Sequence, residues 1–237
     1  MDDLGPRLVA HAAWVASAGA EGTRLVARDA DLRGADLEQA TLTRADLTGA
    51  LLSGANLIEA ELADAVLTGA ELTGADLYRA FAPGARFDDA DLTGSCLVKA
   101  DLTHASLRRA ILRRTDCLRA DFQGSDLTGA DFTRAQLLRA SVMTADLSGA
   151  ILTEADAPAL AVDGSRFDVT AVAGLIGSIG PFDDTLTMVG DGAERQVGLT
   201  EFLEVLSRRG ATVTTWTPGE RPADPPPWRW AGPTAKD

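Results

Sequence analysis

The sequence predicts an all-β solenoid, a coil with corners. Three observations carry that prediction: an apolar pair recurs every five residues, the frame never slips, and glycines recur at one phase of it. Positions divisible by five hold Ala from Ala30 to Ala155, except at Ser95, Thr115 and Ser125. Two residues later, from Leu32 to Leu152, stands Leu or Phe, except at Ala82, Cys117 and Val142. Such a period matches neither the helical repeat of about 3.6 residues nor the strand repeat of about 2. Glycines such as Gly34, Gly49, Gly54, Gly69, Gly74 and Gly84 would each cost about 1 kcal/mol inside a helix. A small and a large apolar residue two apart point the same way in extended backbone, so a corner must follow before the pair repeats. Ser165 and Phe167 still fit the frame after a degenerate turn at Leu160 and Val162.

Composition narrows the function. The 237 residues carry a net charge of −13, which argues against general nucleic-acid binding through phosphate contacts. Two cysteines (Cys96, Cys117) and two histidines (His11, His104) exclude a disulfide scaffold and a zinc site built from several Cys and His ligands. No cofactor or metal is expected. Cys96 precedes a lumen position and is expected to point outward, while Cys117 occupies one, so a bond between them is not expected. No apolar run is long enough to span a membrane. Asp2 and Asp3 have the wrong sign for a secretory leader, and a cytoplasmic, bacterial protein is expected.

The repeat resembles the pentapeptide-repeat family, whose A(D/N)LXX motif is visible at Ala35-Asp36-Leu37, Ala75-Asp76-Leu77 and Ala145-Asp146-Leu147. The resemblance implies a right-handed quadrilateral β-helix with four units per coil, hence about seven coils over residues 23–167 and a rod roughly 34 Å long at the strand spacing. It also implies a filled lumen, so chemistry belongs to the outer faces. The family's best-understood members are DNA mimics that bind type II topoisomerases such as gyrase and confer inhibitor (antibiotic) resistance.

With four units per coil, residues twenty apart stack on one face. Between Asp31 and Arg166 stand 21 acids and 13 bases, too few net charges to imitate duplex DNA along the whole rod. The face that begins at Leu42 is the most acidic, with Glu61, Asp64, Asp101, Asp121 and Asp163 against Arg44. If DNA is mimicked anywhere, it is there. The face that begins at Leu37 stacks Ile58, Tyr78, Val98, Leu118 and Leu138 at one outward position, beside Arg79, Lys99, Arg119 and Arg139. An apolar ladder beside a cationic column marks an interface, to be covered by the protein's own C-terminal segment, by a second copy in a homodimer, or by another protein partner. A basic belt at Arg108, Arg109, Arg113, Arg114 and Arg119 is answered in part by Asp88 and Asp89, twenty residues before Arg108 and Arg109.

The ends read differently. Residues 1–22 are expected to supply a capping helix with Leu8, Val9, Ala12, Val15 and Ala16 on its apolar side and Trp14 as an anchor. From Asp168 the frame vanishes, and residues 168–237 read as a small α+β appendage. A strand is expected near Thr185–Val189, a helix capped by Thr200 and ending at Arg208 and Arg209, a strand over Ala211–Trp216, and a Pro/Trp-rich docking tail with Trp216, Trp228 and Trp230. The acids Asp183, Asp184, Asp191, Glu194, Glu201 and Glu204 are candidates to complement the cationic column. The glycines at 174, 177 and 180 match no phosphate-loop spacing. The expected function is a non-enzymatic protein-binding scaffold. The alternatives are a gyrase-binding DNA mimic, and an enzyme or ligand-binding protein with a cleft between appendage and rod; no nucleophile–base pair supports the last.

Overall fold

A computed structural model describes residues 4–180, 186–190 and 193–215. From Val26 onward the chain makes parallel bridges to residues twenty positions later, as in Asp36↔Asn56, Asn56↔Asp76, Asp76↔Cys96 and Cys96↔Asp116. Four five-residue units therefore complete one winding, and each unit contributes a short strand and a corner.

The corner explains the glycines. The fifth residue of the A(D/N)LXX unit has positive φ, 63° at Gly34 and 66° at Gly54, and the Ala35 N–H donates to the Leu32 carbonyl at 3.0 Å across it. This is a type II turn, whose third residue must enter the left-handed region. Non-glycine residues also hold it, among them Arg79, Lys99, Arg119 and Arg139 at φ 55 to 59°.

The Leu, Phe and Ala columns fill the lumen, where Phe87, Phe122, Phe132 and Phe167 are fully buried. Phe122 meets Phe132 edge-on with centroids 5.8 Å apart. Two of the three hydroxyl residues that replace Ala are satisfied locally, Thr115 and Ser125 donating to the carbonyls of Leu112 and Phe122 at 2.7 Å, whereas the buried Ser95 Oγ has no hydrogen-bond partner among the described residues.

The first helix, α1 (Leu4–Ala16), lies against the start of the rod. Its buried side differs from the expected stripe: Val9 is 72% exposed and Ala16 is exposed, whereas His11 is buried. His11 Nδ1 accepts the Leu25 N–H at 2.9 Å, and its ring stacks on Trp14. Burial lowers the His11 pKa below 6.5. The unfolded chain then binds this proton more readily, so stability falls as pH drops through about 6.5. The thermal midpoint of the wild type is expected to fall more between pH 7.5 and 5.5 than that of His11→Asn, which keeps an acceptor for Leu25. Equal falls would remove the role assigned to this ring.

At the other end the winding outlasts its motif. The strands are β1 (Asp146–Leu147), β2 (Asp156–Leu160), β3 (Arg166–Asp168), β4 (Ile176–Ile179), β5 (Leu186–Gly190), β6 (Ala193–Val197) and β7 (Thr212–Thr215). They form two sheets, ordered β1-β3-β5-β6 and β2-β4-β7. Asp156 pairs with Ile176 and Ala157 with Gly177, so the winding continues beyond Asp168, where the sequence suggested that it ended, although its register then shifts, with Leu160 opposite Ile179 and Arg166 opposite Thr187. The helix α2 (Leu199–Arg208) is capped by Gly198 rather than Thr200 and is followed by Gly210 at φ 84°. Phe202 of α2 packs edge-on against Phe167 at 5.2 Å. The appendage thus packs on the rod's end through this aromatic contact.

Candidate interaction surface

The outward ladder is built by the turn chemistry of its own units. Each ladder residue is the second residue of a corner, and at Ile58, Tyr78 and Leu118 the side chain two positions earlier accepts its N–H. Asn56 Oδ1 accepts from Ile58 at 3.2 Å, Asp76 Oδ1 from Tyr78 at 2.9 Å and Asp116 Oδ1 from Leu118 at 3.0 Å. These side-chain turns brace three of the corners, and the bridges at every twentieth residue stack Ile58, Tyr78, Val98, Leu118 and Leu138 in successive windings. All five lie outside the lumen and are half-buried.

A groove of about 230 Å³ runs among Ile58, Tyr78, Val98 and Leu118, with Asp76, Cys96 and Asp116 also lining it. Cys96 sits outside the lumen, as its phase requires, yet is only 2% exposed. Burial pushes its thiol up to about 12 and raises the Asp116 carboxyl above its ordinary value. Asp156, two windings further along the same column, is raised for the same reason. Cys117 is buried in the lumen, and both cysteines are free. The sequence did not reveal the burial of Cys96, because phase alone tells outward from inward and not what flanks an outward thiol.

Beside the ladder runs the cationic column. Arg79 binds Glu59 at 2.9 Å, and the Lys99 ammonium lies 5.8 Å from the Tyr78 ring centroid. Arg119 and Arg139 are engaged as well, and the Arg139 Nε is shielded from solvent. Of the appendage acids, Glu194 binds Arg166 at 2.6 Å, Glu204 binds Arg208 at 3.1 Å, and Glu201 binds Arg195. Asp183, Asp184, Asp191 and the tail residues Trp216, Trp228 and Trp230 lie outside the described residues.

On the acidic face Glu61 and Asp64 are exposed, and Asp101, Asp121 and Asp163 are half-buried. Asp64 faces Arg44 at 3.5 Å, Asp163 is engaged too, and Asp101 accepts from the Thr103 hydroxyl at 2.8 Å. Bridged between Glu61 and Asp101 is Phe81, 49% exposed. Its phase marks it as outward, and an outward Phe was the signal to single it out. Elsewhere carboxylates meet arginines across windings: Arg109 binds Asp89 at 2.7 Å, Arg108 binds Asp88 at 3.1 Å, and Arg134 binds Glu154 at 2.5 Å. Two members of the basic belt are thereby answered by the carboxylates twenty residues earlier. Among the described residues no His, Cys, Asp or Glu cluster fits a metal, and no helix is long and apolar enough to cross a membrane.

The family model for pentapeptide repeats (8 copies) matches this chain in overlapping segments that run from residue 24 to residue 157, more than half its length. The chain belongs to the pentapeptide-repeat family. Members fold as right-handed quadrilateral β-helices, in keeping with the bridges at every twentieth residue. Among solved structures, this pentapeptide-repeat protein is similar to HetL, described as involved in heterocyst differentiation regulation in the cyanobacterium Nostoc. That match has 27% identity and a TM-score of 0.40, and covers 79% of this chain and 98% of HetL. It is also similar to QnrB1, described as a plasmid-mediated fluoroquinolone resistance protein, at 19% identity and TM-score 0.49, covering 68% and 90% of the two chains. A pentapeptide-repeat protein of the Arabidopsis thaliana thylakoid lumen matches at 34% identity and TM-score 0.29, covering 46% and 68%. No curated protein matches the chain.

Proposed function

We propose that this pentapeptide-repeat protein is a non-enzymatic scaffold that binds a protein partner through the ladder face. The observation that carries this is the stack of Ile58, Tyr78, Val98, Leu118 and Leu138 around a groove, flanked by Arg79, Lys99, Arg119 and Arg139. Aligned apolar residues on a rigid sheet offer a low-entropy surface, and the bordering cations select an acidic rim on the partner. The filled lumen leaves no interior site for a substrate. The test is affinity capture from an extract of the native host with the full chain. Wild type is compared with Leu118→Asp/Leu138→Asp and with Asp101→Asn/Asp121→Asn. A protein retained by wild type and by the acidic-face variant, but lost from the ladder variant, is expected; the opposite pattern would move the function to the acidic face.

The alternative, a gyrase-binding DNA mimic, draws on Glu61, Asp101 and Asp121 with the exposed Phe81 between them. Many of the rod's other carboxylates are paired with arginines, whereas duplex DNA presents a phosphate about every 1.7 Å of axis. A gyrase supercoiling assay decides between the two. The scaffold proposal expects neither inhibition nor drug protection at micromolar protein, and either effect would favour the mimic.

A further inference from the structure

We propose that the N-terminal end of the rod is a self-association surface, where two copies meet mouth to mouth and α1 of each sits in the other's half-open first winding. This contact is independent of what the ladder face binds.

A helix that caps a solenoid turns a polar side to water. α1 does not. Leu4 and Leu8 pack against the lumen core and His11 is fixed by the Leu25 N–H at 2.9 Å, so the inner side of the helix is already in use. On the opposite side Gly5, Val9 and Ala16 are exposed, with half-buried Ala12 between them, and Val9 reaches 72%. Arg7 is the one residue of α1 with a fixed charge, and its Nη2 donates to the Val26 carbonyl at 2.6 Å. A helix that is apolar on every side belongs in a buried setting.

The mouth beside it is only half closed. Leu25, Ala27, Leu37 and Leu42 of the first winding are at most 3% exposed. Ala30, Leu32 and Ala35 remain half-buried, whereas Ala50, Leu52 and Ala55, one winding on, are at most 1% exposed. A trough of about 750 Å³ lies between this open stretch and the Leu4 and Arg7 side of α1.

The occupant follows from the shape. A ridge on one side of the mouth and a trough on the other are complementary under a two-fold axis lying in the plane of the mouth, which brings the second copy's ridge over the first copy's trough and the reverse. The two α1 helices then share one layer between the rods, and each ladder face stays free. The charges agree: the first winding exposes Asp31, Asp36 and Glu38 together with Arg33, so a border of both signs can pair with its own image. A membrane surface fits less well, because helices that lie on one carry a basic polar face, and here acids flank an uncharged ridge.

Sedimentation velocity of the full chain over a range of micromolar concentrations tests this contact. A dimer is expected, with a dissociation constant raised at least tenfold in Val9→Asp, whose carboxylate would have to enter the partner's trough. The Val9 side chain is largely exposed, so circular dichroism and the thermal midpoint of that variant are expected to match wild type. Leu118→Asp/Leu138→Asp is expected to dimerise as wild type does. A wild-type chain that stays monomeric would overturn the proposal, as would a dimer that survives Val9→Asp. Flotation with vesicles of phosphatidylcholine and phosphatidylglycerol checks the other occupant. No co-flotation is expected; binding by wild type that Val9→Asp abolishes would give this end to a membrane and overturn the dimer.

Discussion

Phe122→Ala is expected to destabilise the rod by about 3–5 kcal/mol, measured as the difference in chemical denaturation free energy from wild type. Phe122 is fully buried in the lumen and meets Phe132 edge-on. Truncation removes that contact and leaves a cavity that the windings cannot close, because each is pinned to its neighbours by backbone bonds such as Phe122 N–H to the Ser141 carbonyl at 2.8 Å. Phe81→Ala is the control. Its side chain is about half exposed on the outside, and its loss is expected to cost about 0.5 kcal/mol or less. Similar costs at the two positions would mean that the lumen does not dominate stability.

Leu118→Asp/Leu138→Asp is expected to weaken partner retention at least tenfold while leaving the rod folded. Both side chains lie outside the lumen, so the Leu and Ala columns that hold the windings together are untouched. The new carboxylates enter a strip that already contains Asp116, whose carboxyl is raised by burial, and they replace apolar contact with charge that a docking surface would have to desolvate. Far-UV circular dichroism and the denaturation midpoint report the fold, and surface-immobilised binding of the captured partner reports the interface. Unchanged stability, oligomeric state and partner binding together would refute the assignment of this face.

Much of the lumen was legible in the sequence, because one Leu or Phe and one small residue per unit leave a periodic record that no helix or flat strand reproduces. The number of units per winding was not, since a period of five fits several polygonal coils; it entered with the family resemblance, and the bridges at every twentieth residue match it. The glycines were read as evidence against helix, and their positive φ now gives the positive reason. The last winding escaped notice because Leu175 stands where the pattern expects a small residue. Beyond it β7 pairs with β4, with Thr212 opposite Ile176 and Val213 opposite Gly177, and Leu175 is 1% exposed. The exposure of Val9 and the burial of His11 were hidden for another reason. A helix that caps a rod's end uses the stripe its docking angle selects, and His11 is held there by the Leu25 N–H rather than by hydrophobicity. On the surface, phase located the ladder, but pairing depends on side-chain reach, so Glu194, Glu201 and Glu204 found arginines near at hand instead of the column.

All the surface assignments rest on one winding per twenty residues. Spin labels at Ser53→Cys and Thr153→Cys measure this directly by pulsed electron resonance, because both positions share the same phase and face and are five windings apart. The attachment points are expected about 24 Å apart, five strand spacings of about 4.8 Å. A separation of about 32 Å, as three units per winding would produce, or of about 19 Å, as five would, contradicts the square coil and every face drawn on it.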